Sequence, residues 1–166
     1  MRIGMMVALA ALALGAAACG TVQPATLGHG MSAAPAPLPG YDWFLHEDGE
    51  AARLAFGLEE SDDLKLGLDC ARGAGQLELS AIAPKGAKAE IYLEAGGETE
   101  RFRAVAEPSQ LDDGLFLSAT AGTQHPVFKR FGQLGWMALW RGDQRQMMAG
   151  HPGADERVRR FLAFCG

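Results

Sequence analysis

Cysteine is scarce in this chain: among 166 residues there are three, Cys19, Cys70 and Cys165. No two of them form a Cys-x-x-Cys pair, and none of His29, His46, His125 and His151 has a partner at helical ligand spacing. Zinc sites draw their ligands from such close pairs, so the ordinary zinc motifs are excluded, and no metal or cofactor is expected. A Gly-x-Ser-x-Gly elbow and a phosphate-cradling Gly-rich loop are also missing. Their absence removes the commonest local signatures of hydrolases and nucleotide binders. Ser118, His125 and Asp113 supply the residue types of a triad, as almost any chain of this size does, and no motif joins them. Basic charge is in short supply, with 15 Lys and Arg against 20 Asp and Glu and a net charge of −5. Phosphate backbones need clustered cations, so nucleic acid is excluded as a partner. No internal repeat is present.

Long apolar runs are lacking too. The run Ile3–Leu14 is 12 residues and rises about 18 Å as a helix against roughly 30 Å of hydrocarbon, too short for a permanent span. What it does fit is an export signal. Met1-Arg2 supplies a charged start, Ile3–Leu14 the apolar segment, and Gly15-Ala16-Ala17-Ala18 a small-residue cleavage site before Cys19. Residues 1–18 are therefore expected to be a signal peptide. Cleavage after Ala16-x-Ala18 by an ordinary signal peptidase gives a soluble periplasmic protein. The same stretch resembles the lipobox of bacterial lipoproteins, with Ala16 where that family favours leucine. The resemblance implies that Cys19 becomes the first residue and carries diacylglyceryl and further acyl groups such as palmitate. Because Gly20, and not Asp, follows it, the resemblance also implies the outer membrane, on its periplasmic side, with the bilayer reached through the lipid anchor.

Cysteine parity supports this independently. An oxidising compartment favours pairing, and lipidation of Cys19 leaves an even pair, Cys70 and Cys165. Residues 19–40 are then the lipidated cysteine and a Pro/Gly/Ala-rich tether. Gly20–Gly40 holds four prolines, four glycines and no charge. Such a segment buries too little apolar surface to offset its ordering entropy, and Ala34-Pro35-Ala36-Pro37-Leu38-Pro39 favours extended polyproline geometry. The remainder, 41–166, has the length of one domain.

Within it, apolar residues alternate with period two. The series runs Leu54, Phe56, Leu58; Leu64, Leu66, Leu68, Cys70; Leu77, Leu79; Ile91, Leu93; Phe102, Ala104, Ala106; Leu115, Leu117, Ala119; and Trp136, Ala138, Trp140. Turn chemistry separates these runs at Gly73-Ala74-Gly75, Pro84-Lys85-Gly86, Gly96-Gly97 and Asp112-Asp113-Gly114. The pattern predicts a mainly β fold, an antiparallel sandwich or barrel of about 7–8 short strands. Pro126 at a first helical position, with Val127, Phe128 and Phe131 on one face and Gly132 as terminator, predicts a short helix near 126–131. Val158, Phe161, Leu162 and Cys165 follow i, i+3, i+4, i+7, with Asp155 and Glu156 in the first turn, so a C-terminal helix is expected over 154–165. Arg157, Arg159 and Arg160 fall opposite that stripe. Cys165 on the stripe and Cys70 on the face of Leu64–Leu68 both point inward, which predicts a disulfide; two buried free thiols are the alternative.

Phe56-Gly57-x-x-x-Ser61-Asp62, then Leu68-Asp69-Cys70-x-x-Gly73-x-Gly75, and the ending Val158-x-x-Phe161-x-x-x-Cys165 resemble a pattern in small exported proteins of alphaproteobacteria. The resemblance covers about half of the body and implies a shared fold without an assigned activity.

Two surfaces stand out. Glu59-Glu60-Ser61-Asp62-Asp63 reads as a solvated turn, since adjacent extended residues point to opposite sides and match no calcium loop. Trp136 and Trp140 share one face of a strand and form a candidate partner surface for an envelope protein or a glycan. Met137 and Leu139 on the other face favour a strand buried on both sides. The reading is a cell-envelope lipoprotein whose domain is a non-catalytic binding or structural module. An inhibitor of a periplasmic cell-wall enzyme is one alternative and a small periplasmic hydrolase the other. If Cys19 is the anchor, Cys19→Ala should move the protein from the membrane to the soluble fraction on fractionation. A variant that stays with the membrane, or a mature wild-type mass with Cys19 unmodified, refutes the anchor.

Overall fold

The computed structural model describes residues 34–166. The expected signal peptide, the lipidated Cys19 and the tether up to residue 33 lie outside the described residues. Ten strands and two helices follow in order: β1 Tyr41–Glu47, β2 Ala51–Leu58, β3 Leu64–Ala71, β4 Gln76–Ala83, β5 Glu90–Ala95, β6 Glu98–Arg103, β7 Val105–Pro108, β8 Leu115–Gly122, α1 Pro126–Leu134, β9 Trp136–Arg141, β10 Gln144–Ala149 and α2 Ala154–Cys165. All pairings are antiparallel. They build a six-stranded sheet, β1-β2-β3-β4-β8-β7, and a four-stranded sheet, β10-β9-β5-β6. The result is an antiparallel β-sandwich, mainly β as the alternation requires. No helix among the described residues is long and apolar enough to cross a membrane.

The ten strands exceed the expected seven or eight, and three places account for it, each for a physical reason. In β1 only Trp43 is fully buried, because Phe44 and His46 face outward and Leu45 is half-covered; its apolar signal is too thin to read. β10, Gln144-Arg-Gln-Met-Met-Ala, shows no alternation and forms by pairing with β9. The apolar run through Phe102, Ala104 and Ala106 divides at Ala104. There the chain leaves one sheet for the other: Ala104 N–H closes the last rung to Ala89 O at 3.0 Å, and Val105 pairs with Ser118.

The helices complete the core. α2 packs on β1, β2 and α1, while α1 packs on β5, β6 and β9. Val158, Phe161, Phe164 and Cys165 of α2 are buried, as are Val127, Phe128 and Phe131 of α1. Phe131 lies 4.9 Å from the Trp43 ring, and Phe102 stacks on Phe128 at 5.6 Å. α1 runs past the expected Gly132 to Leu134. Gly132 serves helix packing instead: a Cβ there would lie 3.0 Å from Leu162 Cδ1. Gly135 ends the helix in the left-handed region, φ 73°, with its N–H on Phe131 O at 2.8 Å. The tether's last residues also join the body. Leu38 packs against the core and accepts the Tyr41 N–H at 3.1 Å.

The Cys70–Cys165 disulfide is present, with Cα atoms 5.7 Å apart, inside the ordinary span for the bond, and a sequence separation of 95. It joins β3 to the last turn of α2. Around it the β3–β4 turn caps the helix: Gly73 N–H donates to Phe164 O at 2.9 Å and Gly75 N–H to Cys165 O at 2.8 Å. These bonds satisfy carbonyls that a helix C-terminus leaves orphaned. The other end of α2 is held by Arg157. It departs from the solvent face expected for it, its Nε donating to Trp43 O at 2.7 Å and its Nη2 to Asp42 at 2.5 Å. From chain entropy a loop of this length is worth roughly 4–5 kcal/mol, and measured effects run lower. Reduction, or the double change Cys70→Ala/Cys165→Ala, should lower unfolding free energy by about 2–4 kcal/mol in urea titrations. An unchanged midpoint would show that the hydrogen bonds alone hold the helix.

Candidate functional site

The outer face of the four-stranded sheet carries one row of side chains across all four strands. Pairing register sets Arg101 of β6 beside Tyr92 of β5, Tyr92 beside Trp140 of β9, and Trp140 beside Arg145 of β10. Alternation aims them outward, since Ile91, Leu93 and Leu139 between them belong to the core. The Arg101 guanidinium lies 3.7 Å from the Tyr92 ring centroid, and its Nη1 reaches Glu90 at 2.5 Å. Tyr92 and Trp140 stack at 5.6 Å with planes 22° apart. Trp140 Nε1 donates to Glu94 Oε2 at 2.9 Å, and Arg145 grips the same carboxylate through two bonds of 2.9 and 2.5 Å.

Glu94 is the hinge of this arrangement. The Arg145 bonds first, and the Trp140 bond after them, hold its carboxyl below the usual 4.5, against partial desolvation that pushes the other way. Arg145 is raised in turn, chiefly by its bonds to Glu94. The two parallel bonds from Arg145, with the indole N–H as a third donor, fix the orientation of the Glu94 carboxylate.

The two sequence-predicted tryptophans take different places. Trp136 is 7 % exposed and lies outside the apolar core cluster, on the same face of β9 as Trp140. Met137 and Leu139 point into the core, so the first four residues of β9 are buried on both faces. Trp140 emerges from that cover, half-buried. Its indole stacks on Tyr92 on one side, stands beside Arg145 on the other, and has its Nε1 edge on Glu94. Tyr92, Arg101, Glu94 and Arg145 escaped sequence reasoning. The signal present was weak, polar positions alternating with Ile91 and Leu93; only strand register brings the four together.

The remaining candidates fall apart or stay separate. His125 precedes α1 without a side-chain cap bond, edge-on to Phe102 at 5.3 Å, with Nδ1 3.8 Å from Glu100 Oε2. Its carboxylate neighbour is thus Glu100 and not Asp113. Ser118 lies on β8, opposite Ser80 and Val105. His46 lines a cleft of ≈540 Å³ with Glu47, Glu156 and Arg160. There the Glu47 Oε2 is bound by Arg160 at 2.8 Å, Oε1 is buried and unbonded, and no serine, threonine or cysteine lines the cleft. In the acidic turn Asp63 accepts from Tyr41 and from Lys65, and the Ser61 Oγ accepts the Asp63 N–H at 3.1 Å. Among the described residues no cluster of three or more His, Cys, Asp or Glu could hold a metal ion.

No protein-family model matches this chain, and neither a curated protein nor a solved structure proves similar to it.

The depressed Glu94 carboxyl gives a signed expectation. Its stabilising contribution is complete above the unfolded-state value and is lost as pH falls through the lower folded value. Glu94→Gln should therefore weaken the domain at neutral pH by about 1–2 kcal/mol and flatten the loss of stability below pH 4.5. Unfolding curves at stepped pH for both proteins check this; parallel curves would mean that Glu94 titrates as a free carboxylate.

Proposed function

We propose that the protein is a cell-envelope lipoprotein, tethered through Cys19 to the periplasmic face of the outer membrane. Its domain is a non-catalytic binding module that engages an envelope protein or a glycan. The observation that carries the binding half is the Arg101–Tyr92–Trp140–Arg145 row on an open sheet face. Tyrosine, tryptophan and arginine are the residues in which binding energy concentrates at interfaces. Here they are already ordered by stacking and by Glu94, so a partner would meet a surface with little side-chain entropy left to lose. The Cys70–Cys165 bond supports the compartment, because structural disulfides persist in oxidising surroundings. The lipobox-like Ala16-Ala17-Ala18-Cys19 supports the anchor.

Crosslinking in intact envelopes tests the proposal. The wild-type chain should give a discrete adduct that Arg101→Ala/Trp140→Ala loses and that Arg53→Ala, on the other sheet, keeps. An adduct indifferent to the row removes it as the binding surface. Release of fragments from purified peptidoglycan by the full chain would overturn the non-catalytic part and put the hydrolase first.

A further inference from the structure

Alternation along β9 places Met137, Leu139 and then Arg141 on the side that faces the core. A guanidinium therefore stands where the pattern reserves an apolar residue. Arg141 is partly buried, its Nε is shut off from solvent, and that Nε has no hydrogen-bond partner. Burial pushes the group below its usual value, and Asp63 opposes this only through space. A part-desolvated cation with no bonded counter-charge gains from an anion, and its place in a cleft gives an anion room to reach it.

The surroundings fit that chemistry. Five cationic side chains among the described residues make no hydrogen bond or ion pair: Lys85, Lys88, Arg103, Lys129 and Arg141. Lys85, Lys88 and Arg141 line one cleft of ≈490 Å³, between the β4–β5 loop and the β9–β10 turn. Arg101 stands at its rim, held by Glu90; of the acidic residues that line the cleft, Asp143 alone is unpaired. In a chain of net charge −5 this is a local excess of positive charge. The floor is different in kind. Ile91, Leu117 and Leu139 are 1 %, 3 % and 3 % exposed, and Ala81 and Ala83 line the same cleft. Arg141 also borders a second cleft of ≈510 Å³ that holds Asp62, Asp63 and Asp112, none of which bonds it. That acidic side repels an anion, so entry is from the side of Lys85 and Lys88.

We infer that this cleft binds a small amphiphilic anion, with a carboxylate or phosphate group on Arg141, Lys85 and Lys88 and a compact apolar body on Ile91, Leu117 and Leu139. The volume lies within the usual range for small-molecule sites, roughly 300–1,000 Å³. The inference rests on the reading of the domain as a binding module and supplies a ligand class for it. Arg101 and Trp140 of the row also line this cleft. The two readings are therefore separated by Arg145→Ala, which touches the row alone and should cost only the crosslinked adduct, and Arg141→Leu, which touches the cleft alone and should cost only the titrated ligand.

The probes are 1-naphthoate, 1-naphthyl phosphate, 1-naphthol and inorganic phosphate, titrated into the full chain with its disulfide intact. Calorimetry gives affinity, and the NMR signal of the Arg141 Nε–H reports the site. Both naphthyl anions should bind at one site, shift that signal and weaken as salt is raised. Arg141→Leu, which keeps the packing, should weaken them at least tenfold, and Lys85→Ala/Lys88→Ala, on an exposed loop, should weaken them in the same direction. Stronger binding by one anion identifies the head group as carboxylate or phosphate. Naphthol binding as well as naphthoate, inorganic phosphate binding as well as naphthyl phosphate, or undiminished affinity in the lysine variant would overturn the inference.

Discussion

The end of α2 is the point on which this fold turns. A twelve-residue helix is marginal alone in water, yet here it forms one wall of the core over β1 and β2. Its last turn is joined covalently to β3 through Cys70 and Cys165. Its carbonyls are met by Gly73 and Gly75 of the adjoining turn. The Arg72 guanidinium lies 4.0 Å from the Phe164 ring, and Thr123 donates to the carbonyl of Gly166. The end of β3 and the turn that follows it thus supply a covalent bond, two caps and an aromatic contact to the same helix end. Remove that junction and the apolar faces of β1 and β2 lose their cover.

From that wall the two sheets inherit different duties. The six-stranded sheet carries most of the buried leucines, whereas the four-stranded sheet presents an ordered outer face. Ala104 couples them, because the strand that ends in one sheet starts the next pairing in the other. On the outer face β6 pairs with β5 over its whole length, so that Arg101 covers Tyr92, which covers Trp140, which shares Glu94 with Arg145. A chain of stacked and charge-assisted contacts of this length is rigid because each member is oriented by its neighbour.

Much of the core was legible in the residues. Leu54 and Phe56, Leu66 and Leu68, Leu77 and Leu79, and Ile91 and Leu93 alternate, and all eight are buried. The helix over 154–165 has the bounds its apolar stripe and acidic first turn required. Where legibility failed, the cause was non-local. β10 carries no alternation of its own, β1 buries one residue fully, and α1 outruns Gly132 because Leu162 needs the space a side chain would fill. The candidate sites suffered most. Trp140 could be named from its spacing to Trp136, but its partners lie on three other strands.

The sequence by itself determined the period of each element and hence which side chains turn inward, including both cysteines of the disulfide. That follows because alternation and helical spacing are local properties, decided by the geometry of the next few residues. Only the tertiary structure decided which strands are neighbours, and so what the outward residues could touch. Register brought Arg101, Tyr92, Trp140 and Arg145 into line. The closing of the sandwich left Arg141 on an inward position with nothing bonded to it. Pairing between strands tens of residues apart depends on packing summed over the whole domain, and no window of sequence contains that sum.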